Sequence, residues 1–200
     1  MGNFWQLLAL TFIPLFIVLD APGNLPVVIS LTQGIETRER KRVINTSIVT
    51  ATLVGLVFLF FGQLILTVLS ISVGSFAIAG GIVLLVLSIK YMMTGHMVEA
   101  IKEEMVAIVP IGTPLLAGPA TITTLLFLNT QFSIWIVLLA FILNMIAAWI
   151  IFIAGDRIMR FMGQGGIKAI SKVFALLLAS IAIDLIIRGL NILGVLNLAE

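Results

Sequence analysis

Asp20 stands in the stretch LDAPGNLP, residues 19–26, between two apolar runs. A carboxylate there could hold an ammonium group, a sodium ion or a proton. Pro22, Gly23, Asn24 and Pro26 follow it, the residue types that break a helix or begin one. A second stretch, LAGPATITT at residues 116–124, repeats the theme without a charge. Breakers at membrane depth free backbone N–H and C=O groups, which are tolerated only inside protein or along a cavity. An intramembrane carboxylate costs several kcal/mol unless it is paired, hydrated or protonated, so Asp20 is a functional candidate by default.

Other chemistries are poorly supplied. The chain has no cysteine, which excludes a thiolate nucleophile, and with a single histidine, His96, a metal site built on imidazole is not expected. No G-x-x-x-x-G-K-[ST] phosphate loop is present. Asp20 and Asp184 could be imagined as an aspartyl pair, but they fall at different depths and no G-x-G-D occurs. An enzyme is therefore not expected, nor a bound cofactor, and nothing points to nucleic acid.

The elements that hold these residues follow from Pro chemistry. Pro lacks the amide proton, and it disfavours helix at the residue before it. The sequence predicts a first half-helix ending near Leu19–Asp20 and a second starting near Asn24, with Asn24 as N-cap. The matching half-helix should start after Gly118, with Pro119 at the tolerated first position and Thr121 and Thr124 one turn apart. Each half-helix N-terminus carries unpaired N–H groups and partial positive charge, which attract a carboxylate. The C-terminal end beside Asp20 favours a cation. The candidate substrate-binding set is Asp20, Pro22, Gly23, Asn24, Ala117, Gly118, Pro119, Ala120, Thr121 and Thr124. Its lining is small, with room for a small solute. The bland alternative is a purely structural kink.

Composition supplies the setting. Of 200 residues 61% are hydrophobic and 10% charged, with mean hydropathy +1.26. Soluble domains carry about 25% charged residues, so this is an integral membrane protein. Six apolar segments fall near 4–32, 43–66, 74–94, 105–130, 133–154 and 169–190. No basic n-region precedes the first, so residues 4–19 are expected to remain as structure rather than as a cleaved signal.

Arg38, Arg40, Lys41 and Arg42 follow the first span, Lys102 the third, and Arg157, Arg160, Lys168 and Lys172 the fifth. With six spans these loops share one face, which the positive-inside rule makes cytoplasmic, leaving both termini outside. Trp5 and Trp135 then fall near the outer interface.

All six prolines lie in spans 1 and 4: Pro14, Pro22, Pro26, Pro110, Pro114 and Pro119. Gly23 aligns with Gly118 at an offset of 95, and residues 80–95 with 174–189 at 94, pairing Lys90 with Asp184. The expected fold is all-α: six transmembrane helices as two inverted three-helix repeats, 1–98 and 99–200, with discontinuous first and fourth spans. Three spans per half make the second half insert upside down, a recurring plan of secondary transporters.

The remaining polar residues divide by position. Lys90 can snorkel to the interface. Asp184 is either a local ion pair with Arg188 or, with Asp20, a candidate for ion coupling. Asn144 is helix-packing glue or a ligand. His96 and the charges Glu99, Lys102, Glu103 and Glu104 read as a solvated loop. Gly55, Gly62, Gly74, Gly80 and Gly81 suit close helix packing.

D-x-P-G-N-x-P near the N-terminus, P-L-L-A-G-P-A-T-I-T-T opening the second half, the IVLLVLSIK stretch and a length near 200 together resemble the MarC family. The resemblance spans essentially the whole chain. It implies a six-span prokaryotic inner-membrane protein, similar to an archaeal branch (SnatA) that transports small neutral amino acids such as glycine and alanine. The family is grouped with amino-acid exporters of the LysE type, and its name comes from a link to antibiotic resistance that is no guide to activity. The family pattern falls on Asp20, Pro22, Gly23, Asn24 and Pro26, and on Pro114, Ala117, Gly118 and Pro119. The acid at Asp184 departs from it, the family having a neutral polar residue there, which leaves ion coupling open.

The resulting expectation is a secondary transporter of small neutral amino acids in the cytoplasmic membrane of a prokaryote, coupled to Na+ or H+ or working by exchange. Asp20 would hold the ammonium or a coupling cation. Asn24, Thr121 and the half-helix N-termini would hold the carboxylate. Membrane lipid is its solvent, and its oligomeric state is open. The alternatives are a channel or exporter for another small solute or ion, and a membrane scaffold without flux.

Overall fold

The computed structural model describes residues 3–32, 34–94 and 116–195, and every regular element among them is helical. In order these are α1 (Phe4–Leu19), α2 (Ala21–Leu31), α3 (Thr37–Val68), α4 (Val73–Thr94), α5 (Pro119–Gln131), α6 (Ile134–Ile153) and α7 (Gly155–Ile192). Five stretches are long and apolar enough to cross a bilayer: Phe4–Pro26, Thr37–Val68, Val73–Lys90, Ile134–Ile153 and Gly165–Ile192. α5 has only 13 residues, and the first part of the fourth apolar segment, with Pro110 and Pro114, lies outside the described residues. So do His96, Glu99, Lys102, Glu103 and Glu104.

Two boundaries differ from the sequence reading. The arginines and lysine at 38–42 sit on the first turns of α3, not in a loop. With 32 residues α3 is about 48 Å long, well beyond the apolar core of a bilayer, so its charged end can stand in the interface. Arg157 and Arg160 likewise lie on a short helical lead into α7, which Gly163 interrupts at φ 64° before the apolar part begins.

Packing shows which elements face each other. α1 lies along α6, where Asn144 donates through Nδ2 to the Phe12 carbonyl at 3.2 Å and to the Ala140 carbonyl at 2.9 Å. That contact, together with Leu25 of the following helix lying against Gly155, shows α1 and α6 running parallel, so Trp5 and Trp135, both exposed, point toward one face. Asn144 thus ties α1 to α6, and its Oδ1 is a buried acceptor with no hydrogen-bond partner among the described residues. Its replacement by alanine is expected to lower stability by about 1–2 kcal/mol, read from unfolding in detergent.

α4 and α7 run antiparallel in the closest approach of the fold. A Cβ at Gly74 would lie 2.9 Å from the Gly189 carbonyl oxygen, one at Gly189 2.7 Å from that of Gly74, and one at Gly81 2.7 Å from that of Ala182. Gly55 makes room for the Phe141 ring and Gly80 for Thr123. The glycines do the close-packing work expected of small residues between membrane helices. Apolar side chains such as Leu53, Val57, Leu64 and Val86 face outward, toward lipid.

The two halves of the chain share a burial register. Ile44, Ser47, Ala51, Gly55, Leu59 and Gly62 on α3 are buried, and so are Val137, Ala140, Asn144, Ala148, Phe152 and Gly155, each 93 positions later. Ala77, Gly81, Leu84 and Ser88 on α4 recur as Ser171, Ala175, Leu178 and Ala182 on α7, each 94 later. The short helices interleave: α2 packs on α6 and α7, and α5 packs on α3 and α4.

Candidate binding site at the helix breaks

The first break is one residue wide. α1 ends on Leu19, Asp20 takes the left-handed conformation (φ 41°, ψ 49°), and α2 begins at Ala21. Asp and Asn are among the few non-glycine types that accept such a conformation. Asp20 serves both helices. Its N–H donates to the Phe16 carbonyl at 3.1 Å, closing α1. Its carbonyl accepts the Asn24 N–H at 3.0 Å, and its Oδ1 accepts the Gly23 N–H at 3.1 Å, opening α2.

Asp20 is therefore the N-cap, and the expectation that Asn24 caps this helix is corrected. Either residue type would serve. Pro22 decides the matter, because in the first turn its missing N–H removes no helical bond, so the helix can start before it. The carboxylate expected to sit by the C-terminal end of α1 also occupies the positive end of α2.

Asn24 lies one turn inside α2, fully buried, with Nδ2 donating to the Leu19 carbonyl at 3.1 Å. That bond fixes the amide: the donor side is used, and Oδ1 is a buried acceptor with no hydrogen-bond partner among the described residues. Asn24 thus offers an acceptor, not the donor a carboxylate would need.

The second break matches the sequence reading. Gly118 is the N-cap at φ −70°, ψ 174°, and α5 starts at Pro119. Gly118 has no side chain to cap with, and its carbonyl takes the Ile122 N–H at 3.1 Å. The N–H groups of Ala120 and Thr121 have no hydrogen-bond partner among the described residues. Thr121 donates its hydroxyl to the Leu116 carbonyl at 2.7 Å and Thr124 to that of Ala120 at 2.9 Å. Both hydroxyl protons are spent, so only backbone donors remain for an anion. The two N-termini differ: α2 is capped by its own carboxylate, and α5 is open.

Asp20 is about 22 Å along α1 from Trp5, and Pro119 about 18 Å along α5 from Gln131, so both breaks fall inside the membrane. Leu19 and Ala21 share one packed cluster with Leu116 and Ala117, and Val18 shares another with Ala120. Asp20 and Asn24 are fully buried and Thr121 and Thr124 each expose only 2%, while Pro22 and Gly118 are half-buried.

Asp184 sits elsewhere in chemical terms. Its carboxylate is about half exposed and pairs with Arg188 at 2.8 Å, one turn later on α7. Arg188 also lies over the Phe127 ring at 5.8 Å. A second ion pair, missed in the sequence, joins Arg40 Nη1 to Asp156 Oδ2 at 2.7 Å. Its partners are 116 positions apart, and only the shared parity of their loops hinted that they could meet. Among the described residues no cluster of acids and histidines could hold a metal ion.

The family model described as "MarC family integral membrane protein" matches residues 5–193. A UPF0056 membrane protein of Methanocaldococcus jannaschii is 31% identical over 199 residues, covering 93% of this chain and 97% of its own. The UPF0056 inner membrane protein YhgN of Escherichia coli is 30% identical over 182 residues, covering 88% and 92%. A similar protein of Buchnera aphidicola is 31% identical over 195 residues, covering 90% of each chain. No solved structure matches the chain significantly.

Proposed function

The chain belongs to the MarC family of integral membrane proteins, and from that premise we propose that it is a secondary transporter of small neutral amino acids such as glycine and alanine. One observation carries the reading: the two helix breaks, both inside the membrane, offer opposite chemistry. Asp20 and the open Asn24 Oδ1 supply acceptors at the first. The Ala120 and Thr121 N–H groups at the open N-terminus of α5 supply donors at the second. A zwitterion needs both.

The substrate ammonium goes to Asn24 Oδ1 and the Asp20 carboxylate, and the substrate carboxylate to the α5 N-terminus. This reassigns Asn24 from the carboxylate to the ammonium, because its Nδ2 is already committed to the Leu19 carbonyl. The small residues Ala21, Gly23, Ala117, Gly118 and Ala120 suit a substrate with hydrogen or methyl at Cα rather than a large side chain. Access alternates as one half moves against the other. Na+ or H+ at Asp20, or exchange of one amino acid for another, supplies the drive. The basic stretches at 38–42 and 157–172 support an orientation in the cytoplasmic membrane with both termini outside.

Analogues that lack one end of the zwitterion test the assignment. Glycinamide and acetate should compete with labelled glycine at least roughly tenfold more weakly than alanine, each having lost a charged hydrogen bond. Acetate competing as well as alanine would remove the ammonium site at the first break.

A further inference from the structure

Each short helix ends against a glycine in the opposite half of the chain. A Cβ at Gly155 would lie 2.8 Å from Leu25 Cδ1 and 3.6 Å from Ile29 Cδ1, both on α2. A Cβ at Gly62 would run into Leu126 on α5. Gly62 and Gly155 are equivalent by the 93-residue offset that relates the buried stripes of α3 and α6. They form two matching seats, one toward each face of the membrane.

The seats differ in what fastens them. At the basic face Arg40, on α3, reaches across to Asp156 beside Gly155, with 2.7 Å between the charged atoms. The Arg40 side chain is only 18% exposed, and its Nη2 would lie 3.6 Å from a Cβ at Gly155. The guanidinium therefore covers the seat of α2 while pairing across the two halves. At the other face the tie across the halves is neutral and long: Asn129 Nδ2 donates to the Leu59 carbonyl at 3.3 Å. Gln63, not an acid, occupies the position equivalent to Asp156.

We propose that Arg40 and Asp156 are the gate residues of the basic face: their ion pair holds α2 on the Gly155 seat, and the Gly62 seat, with no ion pair among the described residues, opens first. The site of the unliganded protein then faces away from the basic loops. The meaning of the gate for transport rests on the reading above, whereas the latch itself is independent of any substrate.

The absence of cysteine makes a direct test simple. Ile29→Cys places a thiol under the latch, to be labelled by a water-soluble maleimide in vesicles that expose the basic face. Asp156→Asn should raise the labelling rate roughly two- to fivefold, the scale of an ion pair whose carboxylate is 60% exposed. The exchanged pair, Arg40→Asp with Asp156→Arg, should bring it back. A rate indifferent to Asp156→Asn, or a double variant labelled as fast as the single one, overturns the latch. In a second arm, Arg40→Cys with Asp156→Cys is joined by a short bis-methanethiosulfonate reagent in proteoliposomes. Glycine exchange should stop and return on reduction, and exchange continuing through the joined pair overturns the gate. If the wild type exchanges no amino acid, the transport reading fails, while the labelling arm still decides the latch.

Discussion

Asp20→Asn is expected to abolish exchange of small neutral amino acids while leaving the protein folded. The structural duties of Asp20 survive the change. Asn tolerates the left-handed conformation seen at φ 41°. Its side-chain oxygen can still accept the Gly23 N–H that Asp20 Oδ1 now accepts at 3.1 Å. The backbone bonds that close α1 and open α2 are untouched. Only the charge goes. A hydrogen bond to a charged group contributes about 1.5–3 kcal/mol, so the substrate ammonium or coupling cation should be held roughly ten- to a hundredfold more weakly. Exchange is measured in proteoliposomes and the melting temperature in detergent. Asp20→Ala loses the cap as well and should lower both. An Asn variant that exchanges like the wild type would reduce Asp20 to a cap.

The largest effect on stability is expected at the seam between α4 and α7. Gly81→Ala would put a methyl group 2.7 Å from the Ala182 carbonyl oxygen and 2.6 Å from Ile186 Cγ1. Gly189→Ala would put one 2.7 Å from the Gly74 carbonyl oxygen. Backbone atoms of a packed helix cannot turn aside as a side-chain end can, so the helices must separate along the seam. Each single substitution should cost about 2–3 kcal/mol, at the upper end for overpacking. Gly165→Ala is the control: nothing lies within 4 Å of its Cβ position, and stability should stay level or rise slightly. The melting temperatures of the three variants decide the point. Equal losses at Gly81 and Gly165 would mean the seam is looser than its geometry.

Much of this was legible in the chain because proline acts locally. Pro119 marks the start of α5, where its missing N–H costs no helical bond, whereas α1 runs through Pro14 and ends where Asp20 turns left-handed. The small residues flagged for close packing are those that meet a neighbour, since a glycine among bulky apolar residues has few other uses. The start of α2 was misread because Asp20 and Asn24 are equally good caps, and the choice depends on the turn between them. The polarity of Asn24 was invisible for the same reason: an amide shows which end is free only once the Leu19 carbonyl takes the other. Arg40 and Asp156 could not be paired from sequence, because 116 residues of tertiary structure bring them together. The burial offset of 93 carries the repeat further than the weak residue identities do, since burial depends on which face a position occupies rather than on its residue type.

The most direct test of the transport reading is counterflow. Proteoliposomes are loaded with unlabelled glycine or alanine, and uptake of the labelled amino acid from outside is followed. The account predicts a transient accumulation above equilibrium that saturates with substrate and needs the amino acid inside. Uptake that rises linearly with concentration and ignores the internal amino acid would contradict it and point to a channel.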